Sequence, residues 1–202
     1  MDRVKITRKP NQKVFFTSDL HIGNENILSF CNRPFTNTSD MNKALIDNWN
    51  SVVGKDDIVF NLGDMIWRRD EYTYKTLYES LNGLKYHILG NHDKQMNTKI
   101  DNVKLLSDIV LLSIDDKYYF YLSHFPLMTW SRRENGYANL HGHIHLHDGM
   151  RHNMDSTLPF HYNQLDVGID NSKPTRFYPM ELEDVLRELD KKKLNYYVKN
   201  QD

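Results

Sequence analysis

Short β-prone apolar runs alternate with helical stripes through the first half of the chain, and a polar cluster follows each run. Val14-Phe15-Phe16-Thr17-Ser18 reads as a buried strand. It ends in Asp19-Leu20-His21-Ile22-Gly23. Asn26 to Phe30 predicts a short helix, broken by Arg33-Pro34-Phe35. Thr38-Ser39-Asp40 offers capping residues for a longer helix. Met41, Leu45, Trp49 and Val52 keep one apolar face on it until Gly54. Ile58 to Leu62 predicts a second strand, running into Gly63-Asp64, where the glycine allows a tight turn. Tyr72 to Leu81 predicts a helix stopped by Asn82-Gly83. Lys85 to Leu89 predicts a third strand, which delivers Gly90-Asn91-His92-Asp93. This alternation of strand and helix predicts an α/β fold with a parallel sheet and right-handed crossovers.

After Asp93 the pattern changes. Val103 to Leu106, Ile109 to Ile114 and Tyr118 to Leu122 are β-rich, and Asp115-Asp116-Lys117 predicts a hairpin turn. Helical stripes are scarce here, so antiparallel pairing is expected. The strand from Tyr118 ends in Ser123-His124-Phe125-Pro126. Trp130 and Arg132-Arg133 follow, and then Leu140-His141-Gly142-His143-Ile144-His145-Leu146-His147, with histidines at alternate positions. Gln164 to Asp170 predicts one more strand, and Met180 to Leu189 a helix beginning near Pro179.

Composition narrows the classes. The 202 residues fit one domain, with a core at about residues 13–190 and a solvated tail at about 191–202. A net charge of −1 argues against a broad basic face for bulk duplex DNA. It leaves room for a small phosphate-bearing ligand. The single cysteine, Cys31, permits no intramolecular disulfide, and a reducing cytoplasmic compartment is the simple expectation. No run approaches membrane-spanning length, and no membrane partner is expected. Ten histidines are the unusual feature.

Histidine is the commonest side-chain ligand for transition metals. Alone, Asp19 is also a helix cap, Asp64 a turn residue and His124 a satisfied structural histidine. Together they form an ordered series at predicted strand ends: Asp19-x-His21, Gly63-Asp64, Gly90-Asn91-His92-Asp93, His124, and Gly142-His143-x-His145. This series resembles the signature of the calcineurin-like metallophosphoesterase superfamily. Arg33-Pro34-Phe35, His124-x-Pro126 with Trp130, and Leu140-His141 resemble a small bacterial and bacteriophage subgroup of it.

The resemblance implies a four-layer α/β/β/α sandwich of mixed sheets flanked by helices. It implies Asp19, His21, Asp64 and His145 around a first metal, and Asp64, Asn91, His124 and His143 around a second. His141 and His147 fall outside the motif and are not expected to be ligands. His92 would stabilise the transition state or protonate the leaving oxygen, with Asp93 orienting its imidazole. Mixed imidazole, carboxylate and amide ligands suit Mn, Fe, Zn or Ni, with Mn favoured. Two such ions ~3.5–4 Å apart bind a phosphoryl oxygen and lower the pKa of a bound water to about 7, so that hydroxide attacks phosphorus in line.

Phosphoester hydrolysis is thus the expected activity, on a nucleotide or an RNA-end phosphodiester. Trp67, Trp130 and Tyr137 are candidates to stack on a base. Arg33, Arg68, Arg132 and Arg133 are candidates for substrate phosphate. Trp67 stands where some nuclease relatives carry a second histidine, which weakens a DNA-end nuclease reading. Substrate choice is expected in residues 24–40, 66–72 and 126–137, and a homo-oligomer is compatible with the sequence. A phosphomonoesterase or protein phosphatase is the alternative. A non-catalytic scaffold is the alternative from another class, disfavoured by the complete set of ligand types.

Overall fold

Alternating faces on two groups of strands produce two sheets that meet on a shared core. The computed structural model describes residues 1–67, 71–93, 99–145, 161–171 and 176–199. One sheet contains β2 (Val14–Thr17), β3 (Ile58–Asn61), β4 (Leu84–Ile88) and β5 (Val103–Leu106), with the two-residue β10 (Met180–Glu181) at its edge. Its order is β10-β2-β3-β4-β5, parallel except for β10. The second sheet contains β1 (Asp2–Ile6), β6 (Ile109–Ile114), β7 (Tyr118–Ser123), β8 (Ala138–His141) and β9 (Gln164–Asp166), in the order β1-β6-β7-β8-β9.

The period of two along each strand sets the layers. Val14, Phe16, Ile58 and Phe60 face the second sheet and pack with Val110, Leu112, Phe120, Leu122 and Leu140. Phe16 stacks on Phe60 with ring centroids 5.7 Å apart and meets Phe120 edge-on across the sheets. Phe15 and Val59 point the other way, toward α2 (Thr38–Val52) and α3 (Glu71–Ser80), whose Met41, Leu45, Trp49, Tyr74 and Tyr78 cover that face. The last helix, α4 (Leu182–Lys199), buries Leu182, Val185 and Leu189 in the cluster shared by the two sheets. The architecture is α/β, with mixed sheets and flanking helices.

The sequence-based elements recur with shifted ends. Helix α1 (Asn26–Phe30) matches expectation. The cap of α2 is Asn37, one residue earlier than expected, whose side chain accepts from the Asp40 amide at 2.9 Å. Both Asp115 and Asp116 take positive φ in the β6–β7 hairpin, as a type I′ turn requires. Three differences stand out. First, β1 has no counterpart among the expected strands; only Val4 and Ile6 of its five residues are buried, too brief an alternation to stand out, and they join the core before residue 13. Second, among the strands from β5 to β9 antiparallel pairing is confined to β6 and β7, because β5, β8 and β9 all pair in parallel. Residues 124–137 connect β7 to β8 with only a short 3-10 turn (Arg133–Asn135), so a loop makes the crossover that a helix usually makes. Third, the expected helix from Met180 begins as a strand, and α4 continues through the expected tail to Lys199.

Past the strand ends, main-chain hydrogen bonds continue from one loop to the next. The amides of Asp19 and His21 donate to the carbonyls of Gly63 and Asp64 at 2.9 and 3.0 Å. Gly142 N–H donates to the His124 carbonyl at 3.0 Å, and Ile169 N–H to the Ser18 carbonyl at 3.1 Å. These bonds gather loops from both sheets at their carboxyl edges, where α/β sheets place sites. Among the described residues, no helix is long and apolar enough to cross a membrane.

Candidate metal centre

Two groups of ligand-type side chains meet at this edge. Asp19, His21 and His145 form one, and Asp64, His124 and His143 the other; within each, the ligand atoms lie within 4.8 Å of one another. Asp64 connects them, its Oδ2 lying 3.6 Å from His21 Nε2 and 3.5 Å from His124 Nε2. Asn91 Oδ1 stands 3.0 Å from His124 Nε2. All seven residues singled out as ligands are therefore brought together. Arg68 and His147 lie outside the described residues.

The backbone here is strained. Asp19, His21, Asp64, His143 and His145 all have positive φ, at 62°, 51°, 53°, 71° and 47°. Such torsions cost non-glycine residues of order 1–3 kcal/mol each and persist only where surrounding bonds hold them. The cross-loop ladder supplies those bonds. Gly142 is required for space, since a Cβ there would strike Ser18 Oγ and Asp19 Oδ2. His143 N–H then donates to Asp19 Oδ2 at 2.9 Å.

The donor set fits a cation. Asp19 Oδ1 is buried without a hydrogen-bond partner. It faces His145 Nε2 at 3.7 Å and His21 Nε2 at 3.9 Å, while those two nitrogens stand only 3.3 Å apart. Two imidazole nitrogens and an orphaned carboxylate oxygen converge on one point, which calls for positive charge. The electrostatics agree. Burial lowers His21 to about 3, with the neighbouring His145 adding to the effect. Burial opposes protonation of His145 too, but Asp19 and the hydrogen bond to Asp170 push it up to about 11. Both shifts trace to the same cause, buried carboxylates and imidazoles crowded at one point.

Support for His145 comes from residues the sequence reading left out. Its Nδ1 contacts Asp170 Oδ2 at 2.8 Å and Cys31 Sγ at 3.4 Å, leaving Nε2 toward the site. Asp170 sits in the Gln164 to Asp170 run expected as strand, but β9 stops at Asp166 and the chain turns inward. Arg33, expected to meet substrate, is instead a clamp. It is 4% exposed, and its guanidinium pairs with both Asp170 oxygens and with the carbonyls of Asp19 and Leu20.

Asp93 also serves differently from expectation. Its carboxylate does not orient His92. One oxygen accepts from the amides of Asp64 and Gly90 at 2.5 and 3.0 Å; the other accepts from the Met65 amide at 3.2 Å and the Tyr74 hydroxyl at 2.5 Å. His87 Nε2 lies 3.3 Å away, and its Nδ1 bonds the Tyr78 hydroxyl at 2.6 Å. These donors outweigh burial and hold the Asp93 carboxyl well below the usual carboxylate range. Asp93 ties the loops of Asp64 and Asn91 together from below. Apart from the nearby Gly90, its partners come from α3, β4 and the loop after β3, so no local spacing announces them.

His92 points instead toward the open side. Its Nε2 lies 3.8 Å from Asp64 Oδ2, and its ring rests 4.7 Å from that of Trp67, which is 40% exposed. Phe125 flanks His143 with ring centroids 4.3 Å apart. Trp130 and Tyr137 are not comparably placed: Trp130 Nε1 donates to the Tyr137 carbonyl, and Tyr137 stacks on Tyr119. Arg132 bonds the Tyr137 hydroxyl, and Arg133 pairs with Glu134; among the described residues no hydrogen bond or ion pair joins the side chain of either to the centre.

The chain has recognisable relatives. The profile of the calcineurin-like phosphoesterase family matches residues 12–193. An uncharacterised protein of Methanocaldococcus jannaschii is 38% identical over 135 residues, spanning 66% of this chain and 70% of its own. The Gene 66 protein of Mycobacterium phage L5 is 30% identical over 184 residues, covering 77% of this chain and 86% of that protein. A crystal structure of a protein of unknown function from Aquifex aeolicus shares the fold, with a TM-score of 0.64 at 19% identity, over 90% of this chain and 99% of that one. With a matching profile over most of its length, and a cluster of carboxylates and imidazoles suited to divalent metal, this chain belongs to the calcineurin-like phosphoesterase family and is a metal-dependent phosphoesterase.

Proposed function

We propose that the chain is a dinuclear phosphodiesterase acting on nucleotide or RNA-end diesters. Asp19, His21, Asp64 and His145 hold one divalent ion, and Asp64, Asn91, His124 and His143 the other, with Mn favoured. The observation that carries this reading is the position of Asp64 Oδ2 between His21 and His124. When bound, the ions supply Lewis acidity at a phosphoryl oxygen and acidify a water. The protein residues do the rest. Asp64 holds the two halves in register. His92, at the open side and beside Asp64, gives a proton to the departing oxygen. Trp67 flanks His92 and keeps the leaving side apolar. An aromatic surface at that point favours a base over a bare phosphate, and hence a diester over a monoester. A scaffold role would not require a complete set of ligands at strained torsions. The lone buried cysteine supports a reducing cytoplasmic setting.

Metal analysis and turnover test this directly. The purified protein is expected to retain about two divalent ions per chain and, with Mn, to hydrolyse an aryl phosphodiester. Asp64→Ala removes metal and turnover together. A protein that binds no metal and stays inactive in Mn overturns the reading.

A further inference from the structure

A cavity of about 720 Å³ opens beside the Asn91 and His124 end of the centre. Its size falls within the ~300–1,000 Å³ usual for small-ligand pockets. Leu89, Ile109, Phe125 and Leu127 form apolar walls, and Phe125 is 51% exposed. Away from the centre, the charged residue on the lining is Asp108, and among the described residues no lysine or arginine lines the cavity. That charge pattern has a direction. A carboxylate repels phosphate, so phosphorus belongs at the His124 end and an uncharged substituent belongs inside. Apolar walls with one ring and one strong acceptor match a planar heterocycle carrying sugar hydroxyls. The walls take the flat faces, and Asp108 accepts from a hydroxyl or amino donor.

We propose that this cavity is the subsite for the nucleoside that stays attached to phosphorus, while Trp67 and His92 face the leaving side. The inference rests on the phosphodiesterase reading and names its substrate class: a diester with a nucleoside as one substituent. It assigns a specificity role to Leu127 and Asp108, neither of which is a metal ligand.

The test holds the leaving group constant. The nitrophenyl diester of thymidine monophosphate is compared with methyl nitrophenyl phosphate, in Mn. The wild-type protein is expected to prefer the thymidine ester by about tenfold or more in kcat/KM, chiefly through KM. Leu127→Trp fills the cavity and collapses that preference toward unity. Asp108→Asn keeps the space on an exposed position and lowers the preference by several-fold. Free thymidine, titrated calorimetrically, binds the wild-type protein and is lost in Leu127→Trp. Equal preference in the wild-type protein, or a preference that neither variant changes, overturns the proposal. If neither ester is hydrolysed, the phosphodiesterase reading falls, and thymidine binding alone decides whether the cavity is a nucleoside subsite.

Discussion

Arg33 grips Asp170 through two parallel hydrogen bonds, each 2.7 Å long, in a fully buried pair. Asp170 in turn meets His145 Nδ1, and the same guanidinium reaches the carbonyls of Asp19 and Leu20. One side chain therefore fixes the ring of one metal-ligand candidate and the loop of another.

Breaking this clamp has two separable effects. Arg33→Ala leaves Asp170 buried without its partner and is expected to cost about 3–5 kcal/mol in chemical denaturation. Asp170→Asn keeps the shape but weakens the hold on His145. Metal affinity should then fall ~10–100-fold, measured by competition with a chromophoric chelator. An unchanged affinity in Asp170→Asn would show that His145 needs no such support.

His92 offers a cleaner division between binding and chemistry. It is partly exposed and lies outside both ligand groups. His92→Ala should lower kcat ~10²–10⁴-fold with metal content unchanged. Metal loss in that variant would instead make His92 part of the ion cage.

Asp93 is expected to behave as a structural keystone. Asp93→Ala strips acceptors from three buried amides and the Tyr74 hydroxyl. Each orphaned donor costs about 1–3 kcal/mol. Thermal unfolding should therefore drop more steeply than for His92→Ala. Equal unfolding midpoints would refute this role.

Acid sensitivity can be examined far from the metal centre. The Asp115 carboxylate accepts from the amide and Nε of Arg8 at 2.8 and 2.7 Å, and these bonds hold it below its usual range. Folded Asp115 thus takes up a proton less readily than unfolded Asp115. Its contribution is present above the ordinary carboxylate range and disappears as pH falls through the lowered value. Asp115→Asn tolerates the φ of 54° and removes this dependence. The variant should lose less stability than wild type between neutral and moderately acid pH. An identical acid profile for both proteins would count against it.

The ligand candidates were legible because each stands next to a strand signal: an apolar run, then a polar pair. Asp19 and His21 follow Val14 to Ser18; Asn91 follows Lys85 to Leu89. What holds them was not legible. Arg33 reads as a surface arginine in a loop, and only the fold places it against Asp170, far along the chain. His87 reads as an interior strand residue, yet it completes a polar network with Tyr78 and Asp93. Buried charge networks are built from partners distant in sequence, so no local period reports them. The parallel pairing of β8 leaves no sequence signal for a related reason: a loop, not a helix, makes its crossover.

The loops that converge on Asp64 belong to different sheets. Asp19, His21, Asp64 and Asn91 follow strands of one sheet, while His124, His143 and His145 follow strands of the other. Any cation held between them is also a rivet across the sandwich. At a thousandfold excess over its Kd, such an ion would add about 4 kcal/mol to folding stability. Damage to the packing between the sheets, even at the distant Phe16–Phe120 contact, would loosen the rivet. Metal retention in this protein is therefore a gauge of how tightly its two sheets are closed.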